Sequence, residues 1–337
     1  ITYRWEVSFA ESLMHWHVEA GIAMSFAAFI HLSWHLGYYL KKSRRCGPGP
    51  GAAKAPPVAV TDAGVFRQVL LLTGFVSSAS QFILLREAAI LGGGTETITG
   101  LFLWLWLIIA AGGAATGIRS DITSVRKMVW TLLAGTALAP VCFLMMNNIV
   151  LSPGQTPSFF QALVILAVSV APVTFISALV FVRISALRNA AGLALPGKSF
   201  AAETAGSIAA GAVTALTVPL RIPNYQLYLL ILLAAVACTA WFLGYSRRVR
   251  VVALAALLPL AFLLFVLQPD VLVRRMLLRG VRAEKSIDTP FGNITTGTYN
   301  GERTVYYDHR PLFFPGDVIS AEENIHYALL QRTGYER

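Results

Sequence analysis

Charge is what this sequence has least of. Asp, Glu, Lys and Arg supply 13% of its 337 residues, while 56% are hydrophobic. A soluble domain is about 25% charged. The composition therefore excludes an ordinary water-exposed globular chain and implies an integral membrane protein. Acidic residues are scarcer than basic ones, 17 against 27, for a net charge of +10. In a membrane protein Lys and Arg gather in cytoplasmic loops, so the excess needs no nucleic acid, and membrane lipid is the expected partner. Cysteines are three and isolated, at Cys46, Cys142 and Cys238. No CxxC or CxxCH occurs, which excludes a zinc ribbon and a c-type haem attachment. GxSxG, HExxH and carboxylates at metal-ligand spacing are missing too. The chain opens on Ile1 rather than Met, which predicts a processed chain or a fragment, and no secretory cleavage site is visible.

What the sequence has is long apolar runs. A spanning helix needs about 20 mainly apolar residues. Eight segments qualify: 12–40, 68–92, 98–118, 128–149, 159–182, 199–220, 225–245 and 251–268. The expected fold is an all-α polytopic membrane protein with about eight transmembrane helices and a small C-terminal extramembrane β-domain. Basic residues follow alternate spans: 41–45 (KKSRR), then Arg119, Arg126 and Lys127, then Arg183, Arg188 and Lys198, then Arg247, Arg248 and Arg250. The loops between hold one Arg. The positive-inside rule then places the N-terminus, and everything after residue 268, on the outer side.

Four parts follow from composition. Residues 1–45 form a His-rich span, and 46–65 are a Gly/Pro/Ala linker. Residues 66–268 form a seven-helix module, and 269–337 an extramembrane end. In that end, residues 269–285 carry Arg274, Arg275, Arg279, Arg282 and Lys285 and read as a surface or interfacial segment. Thr and Tyr then alternate on both sides of Asn300-Gly301, a pair that favours a type I′ hairpin turn. The expected β-domain covers 286–316, with a helix starting at 321–331.

Four of the six histidines, His15, His17, His31 and His35, fall in residues 15–35. His17 and His35 share a helix face, and His31 is about 40° away. His17 and His31 lie about 21 Å apart along the axis, near opposite faces of a hydrocarbon core about 30 Å thick. Gly21 removes bulk one turn after His17. Neutral imidazole is a good iron ligand. Three readings stand: haem ligation, interfacial anchoring beside Trp16, Trp34, Tyr38 and Tyr39, and a metal shared by His31 and His35. Haem is preferred, because polar groups inside a membrane are costly and usually functional.

The stretch resembles the haem-bearing helices of membrane cytochromes b. That resemblance implies haem b, with His17 and His31 as iron ligands and His35 and Gly21 beside it. No other expected span holds a histidine, so a partner chain or a second copy would supply the remaining ligands. Other cytochromes are expected partners of such a subunit.

Residues 74–118, with Gln81, Arg86, Gly92 to Gly94, Gly112, Gly113 and Gly117, resemble the first membrane hairpin of bacterial membrane-fused spermidine synthase-like proteins. Residues 201–211 (AAETAGSIAAG) and the stretch from Phe291 to Leu330 extend the likeness. In the latter, Asp308 matches an Asp-Gly pair of the family, with His309 in place of the Gly. Glu322, Glu323, His326 and Tyr327 match its acidic helix loosely. The resemblance implies a bacterial inner membrane and a small β-domain. It also implies an aminopropyltransferase that moves an aminopropyl group from decarboxylated S-adenosylmethionine to a diamine. The family's catalytic nucleotide-binding domain would follow residue 331, and the sequence stops at Arg337. The expectation is a member without that domain, active only if the gene continues. Two function classes therefore compete: a subunit of an electron-transfer assembly, and the membrane portion of a polyamine enzyme.

Arg86, Glu87 and Glu203 fall within or beside spans and must be paired or hydrated. An Arg86–Glu203 pair fixing helix packing is the expectation, with a polar site or proton path as the alternative. Residues 192–199 (GLALPGKS) fit the phosphate-loop pattern, but that loop needs a preceding strand. Gly192 to Ser199 are expected to form a cytoplasmic turn, with no nucleotide.

Overall fold

The computed structural model describes residues 63–152, 154–193, 196–217, 220–289, 291–313 and 318–330. The chain separates into two units, 1–56 and 57–337, and the described residues belong to the second. His17, His31, His35, Gly21 and the expected span 12–40 lie outside them.

Among the described residues seven long helices come first: α1 (Ala63–Gly92), α2 (Glu96–Arg119), α3 (Val125–Val150), α4 (Phe159–Ala190), α5 (Pro196–Thr217), α6 (Asn224–Phe242) and α7 (Arg247–Leu267). Six of them, all but α5, are long and apolar enough to cross a membrane. α5 takes the place of the expected span 199–220, but Lys198, Ser199, Glu203 and Ser207 dilute its apolar character. Caps fix the starts. Ser158 and Gln161 form a reciprocal capping box on α4, and Ser124 caps α3, satisfying N–H groups that a helix start leaves open.

Small residues let these helices touch backbone to backbone. A Cβ at Gly74 of α1 would overlap the Glu203 carbonyl of α5, and one at Gly206 would overlap the Leu71 carbonyl. Without water, helix association relies on such close packing and on polar cross-links. Tyr228 of α6 donates to the Thr136 carbonyl of α3 at 2.8 Å, and Ser77 meets Ser177 at 3.3 Å. Two apolar clusters fill the interior. One includes Phe102, Phe143, Ile165 and Leu227, the other Phe66, Leu70, Leu132 and Ile184.

The two ends of the bundle differ. At one end Arg183 donates to the Ile122 carbonyl, and Trp130 donates to Tyr245 at 2.9 Å. The basic loops gather there. At the other end the chain leaves α7 through Gln268, whose φ is +48°, and Pro269 opens the short helix α8 (Pro269–Leu277). Pro is favoured at a first helical position, where no N–H is needed. An antiparallel sheet follows: β1 (Arg282–Thr289), β2 (Gly292–Tyr299), β3 (Glu302–Tyr307) and β4 (Arg310–Phe313), in the order β1-β2-β3-β4, before α9 (Val318–Leu330).

Asn300 (φ +49°) and Gly301 (φ +85°) join β2 to β3, as the Asn-Gly pair predicts. Asp308 (φ +47°) and His309 (φ +64°) join β3 to β4 in the same left-handed way. The sheet begins at Arg282, four residues earlier than expected, because the supposed interfacial segment splits into α8 and the first half of β1.

Candidate functional site

A buried polar cluster lies where the sheet meets the helix ends. Its centre is Arg274 of α8, fully buried, a correction to the expectation of a surface position for this residue, whereas Arg275, Arg279, Arg282 and Lys285 are exposed as expected. Arg274 grips Glu87 of α1 in a bidentate pair. Nη1 donates to Oε2 and Nη2 to Oε1, both at 2.8 Å. Asp288 of β1 stands 3.7 Å from Nη2. The guanidinium also lies over the Tyr225 ring, 5.6 Å from its centroid. Glu87 is 1% exposed and takes a further bond from the Asn224 side chain at 2.7 Å.

Two distant carboxylates cap α6. Asp288 accepts from the Asn224 backbone N–H at 2.7 Å. Asp270 accepts from those of Tyr225 and Gln226 at 3.0 and 2.9 Å. The start of α6 follows Pro223, whose side chain cannot cap, so the first turn depends on acids brought in from α8 and β1. Negative charge is favoured at that end of the helix dipole. Asn293 of β2 binds Asp288 through its amide at 2.7 Å, and its backbone N–H reaches Asp308 at 2.8 Å. Glu87, Asp270, Asp288 and Asp308 are thus four buried carboxyls around one guanidinium and three helix N–H groups.

The titration of the cluster follows from this crowding. Burial, with Asp288 close by, pushes Asp270 up to about 7, against the opposing pull of Arg274 and the Tyr225 N–H. Burial also raises Asp308, while the Asn293 N–H and Arg274 oppose the rise. Burial works against charge on Arg274, but Glu87 and Asp288 overcome it and hold the proton more firmly than usual. His309 touches Arg274 Nη1 through Nε2 at 3.0 Å. Arginine can only donate, so Nε2 accepts and a neutral ring carries its proton on Nδ1. Burial and then Arg274 hold the His309 pKa well below its ordinary value.

The sequence-selected charges separate here. Arg86 does not pair with Glu203. Its Nη2 donates to the Thr289 carbonyl at 3.0 Å, a second tie between α1 and the sheet. Glu203 accepts from Ser207 one turn along α5 at 3.3 Å. Glu87 is the residue that joins the cluster. The sequence reading misses Asp270, Asp288 and Asn224 and places Arg274 at the surface. A signal existed: Asp270 and Arg274 are one turn apart on a helix face, and a carboxylate in a span requires a cation. Gly192 and Leu193 follow α4, while Pro196 to Ser199 are the first turn of α5 rather than part of a turn, and a helix precedes the motif where a phosphate loop requires a strand.

Chemically, the cluster holds elements together, joining α1, α6, α8 and the sheet through charge and hydrogen bonds. Among the described residues no group of three or more His, Cys, Asp or Glu could hold a metal ion. No family model, curated protein or solved structure matches the chain.

Proposed function

We propose that this chain is an integral membrane subunit of an electron-transfer assembly. Its first helix ligates haem b, and its helical module is a spermidine synthase-like scaffold that carries an extramembrane sheet. The joint of Glu87, Arg274 and Asp288 supports the scaffold role. It ties α1 to α8 through a bidentate buried ion pair and brings β1 within 3.7 Å of the same guanidinium, and breaking such a pair from one side is strongly destabilising. Four histidines in 15–35 support the haem role. Haem supplies one-electron chemistry when bound, and the chain's part is to present His17 and His31, with Gly21 making room and His35 beside them. The remaining iron ligands come from a partner chain or a second copy. The sheet faces the outer side of a bacterial inner membrane, opposite the basic loops, as the positive-inside rule requires.

The test is a reduced-minus-oxidised absorption spectrum of the protein purified with its partners in mild detergent. A sharp b-type band supports the reading, and His17→Ala and His31→Ala should each remove a separable part of it. Unchanged haem content in both variants sinks the ligand assignment.

A second reading is the membrane portion of an aminopropyltransferase. The four-stranded meander followed by α9 favours it, because that order of elements is what the resemblance implies for the enzyme's small domain. Incubation of the whole gene product with decarboxylated S-adenosylmethionine and a diamine decides it. An aminopropylated product would move this reading to first place.

A further inference from the structure

A cavity of about 300 Å³ opens between the sheet and the helix ends. Its walls are mainly apolar, with Leu278 and the rings of Tyr299 and Tyr306 among them, and its polar groups include Arg279, Glu302 and His309. This is the composition of a ligand pocket, apolar with a few fixed polar groups. Three observations narrow the ligand.

First, His309 is held in a left-handed backbone, φ +64°, which costs a side chain that glycine would avoid. The imidazole is fixed by Arg274 on Nε2, and Nδ1–H has no partner among the described residues. It is a preset donor beside the cavity. Second, Arg279 donates through Nη2 to the Leu151 carbonyl, leaving its other N–H groups uncommitted among the described residues. Third, Glu302 lines the same cavity and forms no ion pair among the described residues. One cation and one carboxylate therefore share a single space with two tyrosine rings. An anion alone would leave Glu302 opposed, and a cation alone would leave Arg279 opposed.

The cavity also lies at the ends of helices fit to cross a membrane, next to the loop that joins α3 to α4 and contributes Gly154. Ile149 and Phe160 flank that loop, 68% and 75% exposed, an apolar surface suited to acyl chains.

We propose that this cavity takes the head group of a zwitterionic aminophospholipid. The phosphate is bound by Arg279 and the His309 Nδ1–H. The ammonium is bound by Glu302 and by the faces of Tyr299 and Tyr306, as cations bind aromatic faces. The site is independent of the electron-transfer reading, since neither haem nor a redox partner enters it.

The experiment is native mass spectrometry of the full chain in detergent. It is titrated in turn with phosphatidylethanolamine, phosphatidylglycerol, glycerophosphoethanolamine and inorganic phosphate. The wild type should prefer phosphatidylethanolamine over phosphatidylglycerol by about fivefold, the scale of one exposed charge contact. Glu302→Gln, at an exposed hairpin position, should erase that preference and leave phosphatidylglycerol binding unchanged or stronger. Displacement of phosphatidylethanolamine by glycerophosphoethanolamine would support the head-group assignment. Equal binding of the two lipids by the wild type would overturn the proposal. So would a preference that survives Glu302→Gln, or inorganic phosphate binding as tightly as the lipid.

Discussion

Glu87 and Arg274 are 187 positions apart and meet through two hydrogen bonds of 2.8 Å. The pair joins a membrane-type helix to the short helix under the sheet, and both side chains are almost free of solvent. Its removal from one side leaves a buried charge without its partner. Arg274→Met should therefore cost about 3–5 kcal/mol, whereas a buried pair replaced on both sides by apolar groups is often near neutral. Glu87→Leu with Arg274→Met should recover much of the loss. Thermal unfolding in detergent and proteolysis of the sheet measure both effects. A single variant as stable as the wild type would show that the pair does not hold the sheet.

His309 predicts a pH effect of known sign. An unfolded histidine titrates near 6.5, and the folded chain holds His309 well below that. Between the two values the unfolded chain binds a proton that the folded chain does not. The His309 contribution is fully present above about pH 6.5 and is lost as pH falls toward the folded value. A protonated ring would sit against Arg274, with Glu87, Asp288 and Asp308 as the compensating charges. Asp270 acts in the opposite sense. Its pKa is raised to about 7, so its contribution falls as pH rises from about 4 toward that value. The difference between wild type and His309→Asn isolates the histidine, because Asn tolerates a left-handed backbone and does not titrate. Melting temperatures should converge or cross on acidification. A constant gap across the range would remove His309 from the account.

Contact between α1 and α5 depends on missing side chains. Gly206→Val places two branches where the Leu71 carbonyl sits. Overpacking of this kind costs typically 1–3 kcal/mol, and with backbone as the obstacle the upper part of that range is expected. Gly211 faces open space, so Gly211→Ala on the same helix is the matched control. A helix gains about 1 kcal/mol from replacing Gly with Ala, so the control should be neutral or stabilising. Equal melting temperatures for Gly206→Val and the control would refute the close approach.

Local signals were legible and long-range pairing was not. The helices follow from apolar runs, and the β2–β3 turn follows from Asn300-Gly301, because both depend on a few adjacent residues. Arg274 misleads because its neighbourhood, with Arg275, Arg279 and Arg282, looks like an interfacial basic run. Its burial depends on Glu87, Asp288 and the Tyr225 ring, which come from three other elements. Arg86 and Glu87 show the same limit. They are adjacent in the chain, but one reaches a strand carbonyl and the other a buried guanidinium. Glu203 offered an apparent partner for Arg86, yet it bonds to Ser207 within its own helix. Charge in a span predicts that a partner exists, and topology decides which one.

Asp270 and Asp288 offer the last separation, between a cap and a clamp. Both accept from the first turn of α6, but their other neighbours differ. Asp270 uses both oxygens on backbone N–H groups. Asp288 divides its oxygens between the Asn224 N–H and the Asn293 amide, with Arg274 nearby. Asp270→Asn keeps one acceptor and turns a donor toward the second N–H, so a loss of about 1 kcal/mol is expected, as for a helix cap. Because Asp270 is poised between its two protonation states near neutrality, the variant should also remove the decline in stability between about pH 5 and pH 7. Asp288→Asn points an amide at donors from two elements and weakens the charge balance at Arg274. Its loss should be about 2–3 kcal/mol, within the range for an unsatisfied buried group. The melting temperatures of both variants across that pH range test the assignment. A larger loss for Asp270→Asn, or a pH profile it leaves unchanged, would reverse the two roles.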